Sequence, residues 1–140
     1  MSTGYRDQQD ANWILYRMAD VLLMKAEALA WKGGTANFQA AIDLINRVRT
    51  RANVAELDVN INDVTEESML RYVLEERDIE LAAEGKRWYD LVRFGKSKGY
   101  KYQTAFIDLI VANNASASSQ WLRSVLKNTY AWYNFKLILP

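Results

Sequence analysis

EERDIELAAEGKRWYDLVRFG, residues 75–95, decides how this chain folds. An apolar stripe of Leu70, Val73, Leu74 and Leu81 enters the segment at helical spacing and runs straight through Arg77. Glu76, Glu80 and Glu84 flank the stripe at i, i+4 spacing, where like charges repel along one helix. Such a helix is stable only if cations from another element meet it. Arg47 and Arg51, again four apart in INRVRTRANV (residues 45–54), are the expected partners. The prediction is a helix packed against other helices through ion pairs as well as apolar contacts.

Outward from that stretch, the only proline is the last residue, so nothing breaks a helix from within, and the glycines mark helix ends. A first helix is expected from about Asn12, as N-cap, to Lys32. Its core side is Leu15, Ala19, Leu22, Ala26 and Leu29, widened by Tyr16, Leu23 and Ala30. Gly33-Gly34 stops it. A second helix, about 35–53, points Phe38, Ala41, Leu44, Ile45 and Val48 inward. Two helices joined by a Gly-Gly turn form an antiparallel hairpin of tetratricopeptide-like shape, although one copy is not a solenoid.

Residues 54–64 read as a loop, and Asp63 or Thr65 caps a third helix that ends before Gly85. A short helix at 88–94 precedes a basic loop, KSKGY (residues 96–100). Helices follow at about 102–113 and after Ser118 or Ser119, and the aromatic, apolar tail 130–140 suits an extended conformation. The whole chain reads as one all-α region: a hairpin over about 12–53, the signature helix over about 65–95, and C-terminal helices and tail over 101–140.

The bulk numbers exclude several chemistries. Among 140 residues, half are hydrophobic and a quarter charged, as in an ordinary globular domain. The net charge of +1 makes no global case for nucleic acid or an anionic membrane. Without cysteine there is no disulfide, thiol nucleophile or thiolate metal site, and without histidine the commonest general base and metal ligand is missing. No Gly-rich phosphate loop or EF-hand spacing occurs, so no metal or cofactor is expected. No apolar run approaches the ~20 residues of a membrane-spanning helix.

Three constellations remain. Glu76/Glu80 or Asp20/Glu27 resemble the carboxylate pairs of glycoside hydrolysis, but matching arginines favour a structural ion-pair network, and no enzyme is expected. The basic, aromatic run 86–102 has the composition of a single-strand nucleic-acid surface. The acidic helix beside it cancels that field, and inward packing of Trp88 and Leu91 is the preferred reading. The five Trp and eight Tyr include Trp31, Tyr100, Tyr102 and Trp121 near loops or helix ends, where an indole or phenol ring stacks on the C–H face of a sugar. Each single ring is more often core than contact.

The residues Glu75-Glu76-Arg77, Glu80, Glu84-Gly85, Arg87, Asp90-Leu91 and Arg93 resemble the signature of the SusD/RagB family. Arg17–Leu23 with Ala26-Glu27-Ala28, and Asn46–Ala52, resemble that family's two preceding helix motifs in the same order. The three motifs cover about residues 12–95. The resemblance implies a SusD-like α/α superhelix and a non-catalytic, surface-exposed outer-membrane lipoprotein. It also implies binding of a polysaccharide or oligosaccharide and hand-over to a SusC-type TonB-dependent transporter. Signal and lipid-anchor cysteine are missing, so the chain reads as a C-terminal piece of such a protein. The motif residues Glu27, Arg47, Arg51, Arg77, Glu80 and Arg87 are expected to hold helices together, and Trp31, Tyr100, Tyr102 and Trp121 to contact ligand. The alternative is a tetratricopeptide-like interaction module with no sugar site of its own.

Overall fold

The computed structural model describes residues 15–112 and 119–127. Six helices occur in it: α1 (Met18–Lys32), α2 (Thr35–Arg51), α3 (Glu66–Glu80), α4 (Arg87–Tyr100), α5 (Gln103–Ala112) and α6 (Ser119–Lys127). One 3-10 turn lies at Ile61–Asp63, and no strand occurs among the described residues. The fold is all-α. The expected cap Asn12, Ser118 and the tail 130–140 lie outside the described residues.

The first two helices form the expected hairpin. Gly33 at φ 74°, ψ 172° and Gly34 at φ 87°, ψ 146° reverse the chain through backbone space that essentially only glycine enters. The buried seam of α1 differs from the expected one. Ala19, Asp20, Leu23, Ala26, Glu27 and Ala30 face inward, whereas Leu22 and Leu29 are only half-buried. Leu15 and Tyr16 precede the helix and are both 67% exposed, so they line no core. From α2, Phe38, Ala41, Ile42, Ile45 and Val48 close the hairpin, with Leu44 packed at its margin.

The loop after α2 is tied back by Asn46, which donates to the Leu57 carbonyl at 3.2 Å and accepts from the Leu57 N–H at 2.7 Å. Thr65 starts α3 through a reciprocal capping box with Ser68, and Glu66 and Glu67 sit in the first turn, where the helix dipole favours acids. Met69, Leu70, Val73 and Leu74 enter the core, and Arg77 continues the same stripe as a fully buried residue. The helix stops at Glu80, earlier than expected, and a turn carrying Ala83 at φ 63° leads into α4. The expected short helix and basic loop become one longer element broken at Ser97–Gly99. Phe94, Tyr102, Phe106 and Ile107 form the core's second half with Leu126 of α6.

Candidate functional site

Charged residues, not a cleft, dominate the centre. Arg77 donates Nη1 to Asp20 Oδ1 at 2.8 Å and Nε to Asp90 Oδ2 at 2.7 Å, and all three are at least 96% buried. Asp20 also accepts from Lys86 at 2.5 Å, and Asp90 from Arg93 at 2.9 Å. Arg93 grips Glu27 through Nε at 2.8 Å and Nη2 at 2.6 Å. On the other side, Lys86 reaches Glu84, Glu84 meets Arg17, Arg17 bonds Glu80, and Glu80 meets Arg51. The result is one chain of ten strictly alternating charges: Arg51, Glu80, Arg17, Glu84, Lys86, Asp20, Arg77, Asp90, Arg93, Glu27. It stitches α1, α2, α3 and α4 together. No buried side-chain polar atom among the described residues lacks a partner.

The electrostatics follow from that geometry. Burial alone would push the Asp20 carboxyl up, but the bonds from Lys86 and Arg77 outweigh it and hold it below the ordinary range. Burial of Arg77 is likewise outweighed by its bonds to Asp90 and Asp20, which keep the guanidinium charged. Glu76 is the exception. It is pushed up by burial, which its single partner Arg49 at 3.0 Å only partly offsets.

Of the residues expected in the network, Glu27, Arg51, Arg77 and Glu80 are links of this chain. Arg87 hangs beside it, donating to the Leu74 carbonyl at 2.9 Å and pairing with Asp78. Arg47 is exposed and lines a shallow open groove of about 400 Å³ with Asp43, Asn46, Thr50, Arg51 and Glu56. The cation that meets Glu76 is instead Arg49. Asp20, read with Glu27 as a network acid, and Glu84, read as an acid in need of a cation, are also links, whereas Arg17, Lys86, Asp90 and Arg93 were not among the expected network residues. The i, i+7 spacing of Asp20 and Glu27 and the i, i+3 spacing of Asp90 and Arg93 were the available signals.

Three of the four candidate stacking aromatics gather where α1 ends and α4 meets α5. Trp31 is half-buried, and its Nε1–H points at Glu27 Oε1 at 3.4 Å. Its ring lies 5.9 Å from that of Tyr102, tilted by 50°. Tyr102 itself is only 3% exposed, stacked on Phe94 at 5.0 Å, with its hydroxyl donating to Glu66 at 2.5 Å. Burial therefore takes Tyr102 out of the set of rings open to a ligand and makes it a wall behind Trp31. Tyr100 is half-buried at φ 67°, the third left-handed residue in a row after Lys98 and Gly99. Trp121 stands apart on α6, 65% exposed. Glu66 binds the segment down by accepting from Lys98 at 2.6 Å, Lys101 at 3.3 Å and Tyr102. The Lys98 bond, then the Tyr102 bond, pull its carboxyl down to about 2.

No helix among the described residues is long and apolar enough to cross a membrane. The model of the SusD family matches residues 1–140. SusD-like protein P38 of Formosa agariphila is 43% identical over 95 residues, covering 63% of this chain and 18% of its own length. SusD-like protein P2 of the same organism is 37% identical over 90 residues, covering 61% of this chain and 17% of its own. The starch-binding protein SusD of Bacteroides thetaiotaomicron is 36% identical over 93 residues, covering 66% and 15%. The matched stretches thus span less than a fifth of these relatives. Comparison with solved structures gave no match. The full-length family match, the motif order and the all-α architecture agree: this chain belongs to the SusD family.

Proposed function

We propose that the chain serves as part of a non-catalytic glycan- or nutrient-binding subunit of an outer-membrane uptake system, working with a SusC-type TonB-dependent transporter at the cell surface. Membership of the SusD family carries the reading. A relative named for starch binding supports a glycan as the ligand class. The carboxylates suited by spacing to acid–base work support a non-catalytic role. Asp20, Glu27, Glu76 and Glu80 are each held by arginine, and three of them by two cations or by two guanidinium nitrogens of one arginine. A general acid needs a proton to give and an open path to the sugar, and these groups are committed to the scaffold. Ligand capture falls to aromatic stacking at Trp31, Tyr100 and Trp121, with hydrogen bonds from neighbouring charged groups.

The test is native electrophoresis through gels containing a panel of polysaccharides, starch among them, with this chain beside a full-length family member. Retardation of both supports a sugar site in this segment. Retardation of the full-length protein alone assigns binding elsewhere and leaves this segment as scaffold.

One observation favours the second reading, a tetratricopeptide-like interaction module. Met18, Val21 and Met24 form an exposed apolar strip along α1, continued by Leu15 and Tyr16. Co-purification with a β-barrel transporter and no retardation on any glycan would establish that reading instead.

A further inference from the structure

We propose that Lys98 is a latch over the ring of Trp31, and that a pyranose reaches this ring by displacing the ammonium; the proposal rests on the glycan-binding reading above. Lys98 Nζ lies 5.5 Å from the Trp31 ring centroid and at the same time 2.6 Å from Glu66 Oε2. Its two interactions differ in kind. The salt bridge to Glu66 satisfies the charge, while the ring contact covers an apolar face. Lys98 can therefore give up the ring without stranding its ammonium.

The ring beneath is held ready. Its Nε1–H faces Glu27, which Arg93 fixes through two hydrogen bonds, and Tyr102 stands behind it against Phe94. A ring fixed this way loses little freedom when a sugar stacks on it. The latch is held in an unusual backbone. Lys98 at φ 47°, Gly99 at φ 67° and Tyr100 at φ 67° are left-handed in succession, and two of them carry side chains. The run lies at the break within α4, and the lysine over the Trp31 ring is one of its residues. Strain of this kind persists only where the surroundings fix it, here through the three hydrogen bonds to Glu66.

The test uses the full 140-residue chain with Lys98→Asn, since asparagine tolerates left-handed backbone, and with Lys98→Ala as a second form. Each is made with and without Trp31→Phe, so that the fluorescence owed to Trp31 is obtained by difference. Acrylamide quenching of Trp31 should rise in both Lys98 variants, with a red shift of its emission. Binding of neutral oligosaccharides, maltoheptaose among them, should tighten roughly two- to fivefold, the value of an exposed cation–π contact. If Trp31 is no more accessible in either variant, the latch is overturned whatever the sugars do. If Trp31 opens and affinity stays put, Lys98 does not compete with the sugar and the proposal fails. Absence of oligosaccharide binding in every form of this chain overturns the stacking site at Trp31 and the latch with it, while the glycan reading itself is judged separately by the retardation of the full-length protein.

Discussion

Replacing Arg77 with alanine tests the centre of the charge chain. The guanidinium bonds Asp20 and Asp90, which are 1% and 3% exposed, so its removal leaves two carboxylates in a dry interior. Breaking a buried pair by deleting one partner costs about 3–5 kcal/mol. Here Asp20 keeps Lys86 and Asp90 keeps Arg93, both partly exposed cations, which places the expected loss near the lower end, about 3 kcal/mol. That lowers the folding constant on the order of a hundredfold, out of a net stability of about 5–15 kcal/mol for a domain. The assay is urea unfolding followed by helical circular dichroism at pH 7. Arg77→Met restores most of the lost volume but not the charge, so it should be nearly as damaging as alanine. Combining Arg77→Met with Asp20→Asn and Asp90→Asn should recover most of the loss, because no carboxylate is then stranded. A single Arg77→Ala variant within about 0.5 kcal/mol of the parent, or a triple variant no better than the single, would refute the reasoning.

The remaining expectations concern local features. Arg51 ends the chain with 61% of its side chain exposed, so Arg51→Ala should cost under about 1 kcal/mol in the same assay. Glu66 titrates well below its ordinary value in the fold; its contribution is therefore complete above pH ~4.5 and disappears as pH falls toward about 2, a loss that Glu66→Gln should abolish in acid unfolding curves. Glu76 is shifted the other way, so its charged form is disfavoured by folding; Glu76→Gln should leave stability at pH 7 within about 1 kcal/mol of the parent, or raise it, and a larger loss would show the Arg49 pair outweighs burial. Gly33→Ala meets no steric obstacle but forces a side chain into φ 74°, ψ 172°, and should lower stability by about 1–3 kcal/mol in thermal melts.

What could be read from the chain divides by range. The Gly33-Gly34 reversal and the Thr65 cap depend on chemistry within a few residues, and both were legible. The seam of α1 was not, because that helix carries more apolar residues than one face can use. Val21, Leu22, Met24 and Leu29 compete with Leu23 and the alanines for the inward position. Asp20 and Glu27 settle the contest, turning inward to meet Arg77 and Arg93 from helices more than fifty residues away. The same limit explains Arg47 and Arg49. Arginines at 47, 49 and 51 share one helix, and the crossing of α2 over α3 selects the last two. Tyr102 looked open because it follows a glycine-containing loop, yet it closes on Phe94 and Glu66, contacts that sequence spacing does not reveal.

Why this fold carries charges where leucines would bind more simply is answered by register. Buried ion pairs are poor stabilisers compared with well-packed apolar residues, so stability alone does not account for them. An apolar stripe, however, tolerates a slide of one helical turn, about 5.4 Å, with modest loss. The acids of α3 would tolerate it too, since Glu76 and Glu80 are themselves one turn apart. Arg77 does not. A one-turn slide of α3 would bring Val73 or Leu81 opposite Asp20 and Asp90, and neither can satisfy two buried carboxylates. Burial along the chain matches that role, with Asp20, Arg77 and Asp90 at most 4% exposed while the outer cations Arg51 and Arg93 reach 61% and 46%. From Asp90 the fixed register passes through Arg93 to Glu27, and from Glu27 to the indole N–H of Trp31. The family's signature residues thus act at the ring they do not touch: by holding α3 and α4 in one position against α1, they set the orientation of the aromatic surface at the end of α1.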